Sequence, residues 1–503
     1  MPSHKTSRPM EARARTASRS LAERRLAWAD ICGKVQYDGL ADTAASQDLC
    51  RVVFATLRDY HDKPSQRAVE RAIAVALSTS GDFLKAFAGL VVKGGDRADT
   101  LGASQRLVLT RWSCLLMDHL DATEHAGAFA RIAQTQGALV AASALATCSE
   151  TPPPCSPFQQ LLRRKPSLVD AYLAQLGEGS KAMAATAPVA ACGLAVELLH
   201  HATAASSPEE VAAKVRAVAM DAYTRVPLGG DAKAKLPPHI ASLFHGLVRT
   251  MTATEFAQTA VAQATKQLRR SPEAVLPSVA RMLASASVAN LDGADGAAME
   301  ALRDCVLAQV KHADERRRAA AVGCVGAVAA AGAGIAAKSY FDAIVSELEK
   351  KPKEWQARAG LCAALGALAK LRTGSEKAIG SMAVDACAQL AASLKSEAQR
   401  DAKESATDAL GDWLAHLPGP LTKDVADVCA AGIKDGKDGH GKRVLRVLVS
   451  ALSANRGLAE GAGAASLVKV VSNAAKNGAA KPSQRAEGAM SLFIIAAVAA
   501  VDY

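Results

Sequence analysis

Apolar and polar positions alternate along this chain with the period of amphipathic helices, and five such helices recur at a regular spacing. They are RRAAAVGCVGAVA from Arg317, ARAGLCAALGALA from Ala357, AKESATDALGDWL from Ala402, GKRVLRVLVSALS from Gly441 and QRAEGAMSLFIIA from Gln484. The second residue of each is basic: Arg318, Arg358, Lys403, Lys442 and Arg485, spaced 40, 45, 39 and 43 residues apart. An apolar residue follows seven positions later, and the next position is small in four of the five helices.

This period predicts an all-α solenoid of HEAT-type paired-helix repeats, whose units are roughly 40 to 47 residues long. The hexapeptide KPSQRA supports the same period, because it occurs at residues 63–68 and again at 481–486, about ten periods apart. Composition agrees with helices: half of the 503 residues are hydrophobic, yet only 4% are aromatic. A chain of this length needs several hydrophobic cores or a repeating one.

The organisation predicted along the chain has three parts and no clear domain boundary within the solenoid. Residues 1–20 are rich in Arg and Ser and read as a disordered basic tail, with an organelle transit peptide as the alternative. Residues 21–290 form an amino-terminal HEAT-like helical region, and residues 291–503 form more regular repeats. Within LRRSPEAVLP, Ser271 is expected to cap a helix that Pro272 begins and Pro277 bends.

Charge is the functional signal that composition offers. The formal net charge of +11 favours an anionic partner, with nucleic acid first. Basic residues cluster at the predicted turns, where stacked repeats would bring them to one edge as a ladder facing ribosomal RNA phosphates. The candidate contacts are Arg163, Arg164, Lys165, Arg269, Arg270, Arg316, Arg317, Arg318, Lys350 and Lys351. The alternative is structural, since cations near helix ends also satisfy exposed carbonyls and the helix dipole.

Signs of catalysis, cofactors or metals are missing from the sequence, so we expect no enzyme and no small-molecule substrate. GKDGHGKR (436–443) resembles a phosphate-binding loop but has Arg443 where the hydroxyl residue belongs, and no strand precedes it. The eleven cysteines are scattered singly and read as reduced core residues of an intracellular protein. The apolar run AMSLFIIAAVAAV (489–501) is too short to span a bilayer and predicts a buried helix.

Several segments resemble a known family. DLCRVVFATLRDYHDKPSQRAVERAI (48–73), LTRWSCLLM (109–117), KPSLVDAYL (165–173) and TATEFAQTAVAQATKQLRRSPEAVLPSVARMLAS (252–285) are similar, in order, to the amino-terminal part of the general control non-derepressible translational activator. The resemblance covers roughly residues 48–290, and the alanine-rich remainder matches only as repeats. RRSPE is its most specific piece.

The resemblance implies a cytoplasmic, non-catalytic translational regulator that binds ribosomes, both ribosomal RNA and ribosomal proteins. Members of the family scaffold activation of the initiation factor 2 alpha kinase during amino-acid starvation, and an ATP-binding-cassette co-activator is a further implied partner. The chain stops at Tyr503, far short of the family's length, so the region that docks the kinase would be missing here. Its end inside an apolar helix also leads us to expect a truncated sequence. The alternative is a generic HEAT-repeat adaptor, such as a transport receptor, that binds other proteins.

Overall fold

The computed structural model describes residues 20–59, 62–143, 156–176, 183–204, 209–226, 228–229, 247–371, 376–434 and 440–459, together with 468, 471–472 and 489. Within these ranges the regular structure is helical and contains no strand. The chain divides into two compact units: unit 1 comprises residues 1–227 and 237–247, and unit 2 comprises residues 228–236 and 248–503.

Unit 1 is built from helices that pack side by side in two layers. Its helices are α1 Leu21–Asp38, α2 Thr43–Asp59, α3 Lys63–Thr79, α4 Gly81–Gly95, α5 Ala103–His119, α6 Ala126–Ser143, α7 Pro157–Arg164, α8 Leu168–Leu176, α9 Met183–Thr186, α10 Pro188–Ala204 and α11 Glu209–Arg225. Helices α1, α3, α5 and α7 contact one another in sequence and form one layer. Helices α2, α4, α6 and α10 form the other.

Polar caps set where the helices of unit 1 begin, and aromatic side chains fill its core. The carboxylate of Asp62 accepts a hydrogen bond of 2.8 Å from the Ser65 amide at the start of α3, which satisfies one of the free amides of the first turn. Between the layers, the rings of Phe54 and Trp112 meet edge to face with centroids 5.3 Å apart. Each such pair adds to the stability gained from burial alone.

Unit 2 shows the paired-helix repeat most clearly. Its helices are α12 Ala253–Glu255, which continues through a π-helical segment (Phe256–Val261) into α13 Ala262–Arg270, then α14 Pro272–Ser285, α15 Val288–Gly293, α16 Gly296–Val310, α17 Glu315–Ala331, α18 Gly334–Glu349, α19 Trp355–Leu368, α20 Glu376–Ser396, α21 Arg400–Leu414, α22 Lys423–Lys434 and α23 His440–Ala454. The first helices of successive repeats, α13, α16, α18, α20 and α22, contact one another in order. The second helices, α14, α17, α19, α21 and α23, do the same.

Small residues let the second helices approach closely. A Cβ added at Gly366 of α19 would stand 2.9 Å from Ala409 Cα of α21, and one at Gly411 of α21 would stand 2.4 Å from a Val447 methyl of α23. The indole N–H of Trp413 donates a hydrogen bond of 2.8 Å to the Leu365 carbonyl across the same interface. These contacts explain the small residue at this position of the repeat in α19 and α21.

The structure confirms the predicted fold class, an all-α solenoid of HEAT-type paired-helix repeats, within each unit. Four of the five aligned segments form α17, α19, α21 and α23, and the fifth lies almost wholly outside the described residues. The first KPSQRA begins α3, while the second lies outside the described residues. The same holds for residues 1–19 and for nearly all of the apolar run 489–501. The predicted division at residue 290 falls inside unit 2 and stays a prediction.

One local expectation is wrong. The hydroxyl of Ser271 makes no capping hydrogen bond at the start of α14, although Pro272 does occupy the first turn and Pro277 lies inside the helix. Ser271 has φ −144° and ψ 65°, whereas a capping residue normally has the extended ψ that aims its side chain at the first free amides. Pro272 also lacks an N–H, so the number of amides to satisfy is smaller.

Candidate nucleic-acid interface

Seven of the ten predicted cations lie at turns that join the first and second helices of repeats in unit 2. Arg269 and Arg270 end α13, Arg316 to Arg318 open α17, and Lys350 and Lys351 follow α18. The ends of α16 and α18 lie together, since Lys311 Nζ and Glu347 Oε2 are 2.6 Å apart. We call the C-terminal ends of α13, α16 and α18, with the N-terminal ends of α14, α17 and α19, the turn edge of unit 2.

Four of these cations are exposed and available to a ligand. Arg269, Arg270, Arg316 and Lys351 have exposed side chains. None of the four side chains forms a hydrogen bond or an ion pair with any residue that the structure describes. Lys353, exposed on the same turn as Lys351, is missing from the predicted set although EKKPKEW carries it. An unpaired, exposed cation can meet a phosphate without first giving up an internal partner.

The other three cations of the turn edge are bound within unit 2. Arg317 donates 2.7 Å to Gln309 Oε1, and its other terminal nitrogen lies 3.0 Å from His312 Nε2. Arg318 donates to the carbonyls of His312, at 3.1 Å, and Ala313. Lys350 pairs with Glu347 at 2.6 Å. Their charges remain, but these side chains are held by the turn itself.

Acidic residues at the turn edge are partly neutralised in the same way. Hydrogen bonds from Lys311 and Lys350 hold the pKa of Glu347 below its ordinary value. The backbone amide of Arg317, at 2.9 Å, does the same for the capping carboxylate of Asp314. Exposed glutamates at positions 273, 315, 349 and 354 also lie there. Exposed cations and exposed glutamates therefore lie side by side at these turns, and the positive charge is not continuous along the edge.

The remaining three predicted cations belong to unit 1, at the end of α7. Arg164 pairs with Asp118, and Lys165 Nζ donates 2.7 Å to the Asp118 carbonyl at the end of α5. Arg163 is exposed. The pKa of His201 is lowered mainly by burial of the imidazole and, to a smaller extent, by the charge of Arg163. The structural reading thus holds for Arg164 and Lys165, which tie α7 to α5.

A cavity of about 440 Å³ opens among α20, α21, α22 and α23, but its titratable groups do not form a reactive set. Burial raises the pKa of Cys429 to about 12, the reverse of an activated thiol. The carboxylate of Glu397 is held by Arg358 at 2.6 Å.

In the part of the chain that the structure describes, no three His, Cys, Asp or Glu side chains gather as metal ligands. Each helix of that part is too short or too polar to cross a bilayer.

The fold and these turns define a helical-repeat protein with exposed cations at one edge of unit 2. Residues 216–348 match the family model described as stalled ribosome sensor GCN1 N-terminal. This confirms the resemblance seen in the sequence, and the matched segment continues past residue 290 into the alanine-rich repeats. Five of the predicted cations, at positions 269, 270, 316, 317 and 318, lie inside it.

Other known proteins are similar over more of the chain. Protein ILITYHIA of Arabidopsis thaliana is 28% identical over 465 residues, which is 90% of this chain and 16% of that protein. Among solved structures, Kap121p bound to Ste12p is 14% identical with a TM-score of 0.37, over 98% of this chain and 53% of that one. A Kap121p mutant is 10% identical with a TM-score of 0.40, over 99% and 55%. The chain thus spans about one sixth of the length of its curated relative.

Proposed function

We propose that this chain is a non-catalytic part of a cytoplasmic translational regulator and contacts the ribosome through the turn edge of unit 2. One observation carries the proposal: the segment that matches the stalled ribosome sensor family contains Arg269, Arg270 and Arg316, all exposed and unpaired among the described residues. Their partners would be the phosphates of ribosomal RNA, with ribosomal proteins alongside.

The contact would be electrostatic and reversible. Each phosphate that a cation neutralises releases condensed counterions, so affinity falls steeply as salt rises. Separate basic turns on successive repeats suit a polyanion, because a rigid solenoid spaces them and holds them at one edge. Binding of this kind positions a larger protein on the ribosome without requiring any chemical step.

For the whole regulator, the resemblance supports a wider proposal. The protein would scaffold activation of the initiation factor 2 alpha kinase in amino-acid starvation, with an ATP-binding-cassette co-activator as a further partner. The kinase would dock outside the residues of this chain. Ribosome binding is the part of this proposed activity that can be measured with these 503 residues alone.

Co-sedimentation with purified ribosomes across a salt series tests the proposal. The variant Arg269→Gln, Arg270→Gln, Arg316→Gln should bind more weakly, and the slope of log affinity against log salt should fall by about 2 to 3, as expected for three lost phosphate contacts. The matched control is Arg249→Gln, Lys338→Gln, Lys370→Gln, which removes three exposed cations from the opposite edge of unit 2.

Binding of the control should match the wild type. Equal binding by all three proteins, with circular dichroism showing intact helices, would reject the turn edge as the contact. Binding that the two variants lose equally would show a response to net charge alone. Absence of wild-type binding would leave the chain as a spacer or as a docking surface for another protein.

A further inference from the structure

Helix α3 carries a row of cations that the proposed function does not use. Lys63, Arg67 and Arg71 stand at every fourth position, so they share one face of the helix over about 12 Å of its axis. All three side chains are exposed. None donates a hydrogen bond from its side chain or joins an ion pair with another residue that the structure describes. We call these three residues the α3 stripe.

The acidic residues next to the stripe in the sequence, Asp62 and Glu70, are committed to other partners. Asp62 pairs with Arg24 of α1 at 3.0 Å and also caps α3. Glu70 pairs with Arg111 of α5 at 3.6 Å. Burial raises the pKa of Glu70, and the charge of Arg67 opposes that rise less than Arg111 does. Arg111 and Glu70 are both partly exposed beside the stripe, and as a pair they add no net charge to it. The face formed by α3 and its neighbours therefore keeps an excess of positive charge.

Helix stability does not account for these cations. Lys63 lies in the first turn of α3, where the helix dipole disfavours positive charge. Like charges four residues apart repel each other and weaken a helix. The stripe thus opposes the stability of the helix that bears it, which is expected of residues retained for a ligand.

Arg67 also lacks the structural role that other arginines play at the start of a helix. Arg106, four residues after the cap position Gly102, turns back and donates 2.6 Å to the Leu101 carbonyl. Arg67 stands five residues after the cap Asp62, and one residue rotates a side chain by about 100° around the helix. It consequently faces solvent beside Lys63 and Arg71, away from the turn.

We propose that the α3 stripe is a second contact for the phosphate backbone of RNA, separate from the turn edge of unit 2. Protein partners bind mainly through buried aromatic and apolar anchors. Helix α3 exposes no large apolar side chain. A row about 12 Å long can follow roughly three phosphates of one strand. The choice of RNA as the polyanion rests on the proposed function.

The test uses the full chain and a fluorescein-labelled oligouridylate, with binding read by anisotropy across a salt series. The variant Lys63→Gln, Arg67→Gln, Arg71→Gln should bind about tenfold more weakly, with a salt slope lower by about 2, as three lost contacts to a single strand require. The control Lys85→Gln, Lys93→Gln, Arg97→Gln removes three exposed cations on or just after α4, in the other layer of unit 1. It should stay within about twofold of the wild type, since it loses the same charge without losing a contact.

Comparison with the turn-edge variant separates this inference from the proposed function. If the stripe variant binds the RNA more weakly and the turn-edge variant binds it as the wild type does, the stripe contacts the RNA and the turn edge does not. Unchanged RNA binding by the stripe variant, or an equal loss in the control, overturns the inference while ribosome binding through the turn edge can still hold. A stripe variant that keeps RNA but loses ribosomes would assign the stripe to an acidic protein and also overturn it.

Discussion

Arg318 and Arg358 occupy the same position in successive repeats and bind the preceding turn in the same way. Arg318 donates to the carbonyls five and six residues before it, those of Ala313 and His312. Arg358 does likewise with Lys353, at 2.7 Å, and Pro352, at 2.8 Å. A guanidinium offers several donors in a fixed plane, so one side chain can hold two carbonyls of a turn. At these two repeats the basic residue is therefore explained by the architecture of the turn.

We predict that Arg358→Gln destabilises unit 2 more than loss of a surface cation would. Arg358 also holds Glu397, whose side chain is only 6% exposed, through bonds of 2.6 and 3.0 Å. Removing one partner of a nearly buried pair leaves an uncompensated charge, so the free energy of unfolding should fall by about 2 to 4 kcal/mol. Urea unfolding at neutral pH measures the loss. Arg316→Gln, an exposed control, should change it by less than about 0.5 kcal/mol.

The pH dependence of this loss identifies its cause. Burial would raise the pKa of Glu397, but hydrogen bonds from Arg358 and backbone amides hold it below its ordinary value. The wild-type carboxylate thus contributes stability above the unfolded pKa, and that contribution is lost as pH falls through the folded pKa. In the Arg358→Gln variant, burial of Glu397 is no longer offset by the guanidinium, so protonation of Glu397 removes the uncompensated charge. The difference between the two proteins should shrink below about pH 5, and a difference that stays constant with pH would contradict this account.

Helix packing in unit 2 depends on how small the contact residue is at each interface between second helices. At Gly366 of α19 an added Cβ would stand 2.9 Å from the backbone of α21. At Gly326 of α17, by contrast, the nearest atom is the Ala367 methyl at 3.6 Å, an ordinary contact. The same repeat position is therefore crowded at one interface and open at another.

We predict opposite effects for the same substitution at these two positions. Gly366→Ala should lower the free energy of unfolding by about 1 to 3 kcal/mol, because the backbone of α21 must move to admit the methyl group. Gly326→Ala should be neutral or stabilise by up to about 1 kcal/mol, since alanine restricts the unfolded chain and favours the helix. Chemical denaturation of both variants and the wild type measures these changes in the free energy of unfolding. Equal destabilisation would show that the interfaces are equally tight.

The repeat period, the helix starts and the small contact position could be predicted from sequence because each depends on residues close together in the chain. Arg316 and Arg318 show what could not be predicted. Both are arginines of one basic run, yet one is exposed and the other is bound to turn carbonyls. Their difference depends on the direction of each side chain relative to the turn, which composition does not reveal. The stripe on α3 does not stand out in the sequence for a related reason, since three other residues separate each of its cations from the next and they form no basic run.

At the scale of the whole molecule, the two units differ in how their cores are filled. Unit 1 packs aromatic rings between its layers, including Phe83 and Phe87 stacked with centroids 5.4 Å apart. Unit 2 relies on alanine and glycine along α17, α19 and α21, with Trp413 as a large side chain that is fully buried. Cores of close-packed small residues tolerate little added volume. Small substitutions should therefore be felt along these helices, and also in unit 1 between α6 and α10, where a Cβ added at Gly137 would stand 2.0 Å from the Ala190 carbonyl oxygen.

We predict that a packing defect in unit 2 stays local. In stacked repeats each repeat contacts only its neighbours, so stability is close to a sum of local terms. Gly366→Ala should accelerate hydrogen exchange in peptides from α17, α19 and α21, because openings there require less free energy. Peptides from α3 to α6 of unit 1 should exchange as in the wild type, and Gly326→Ala should accelerate neither set. Faster exchange throughout both units would mean instead that the chain opens as one cooperative structure, and contacts at the turn edge and at the α3 stripe would then be coupled.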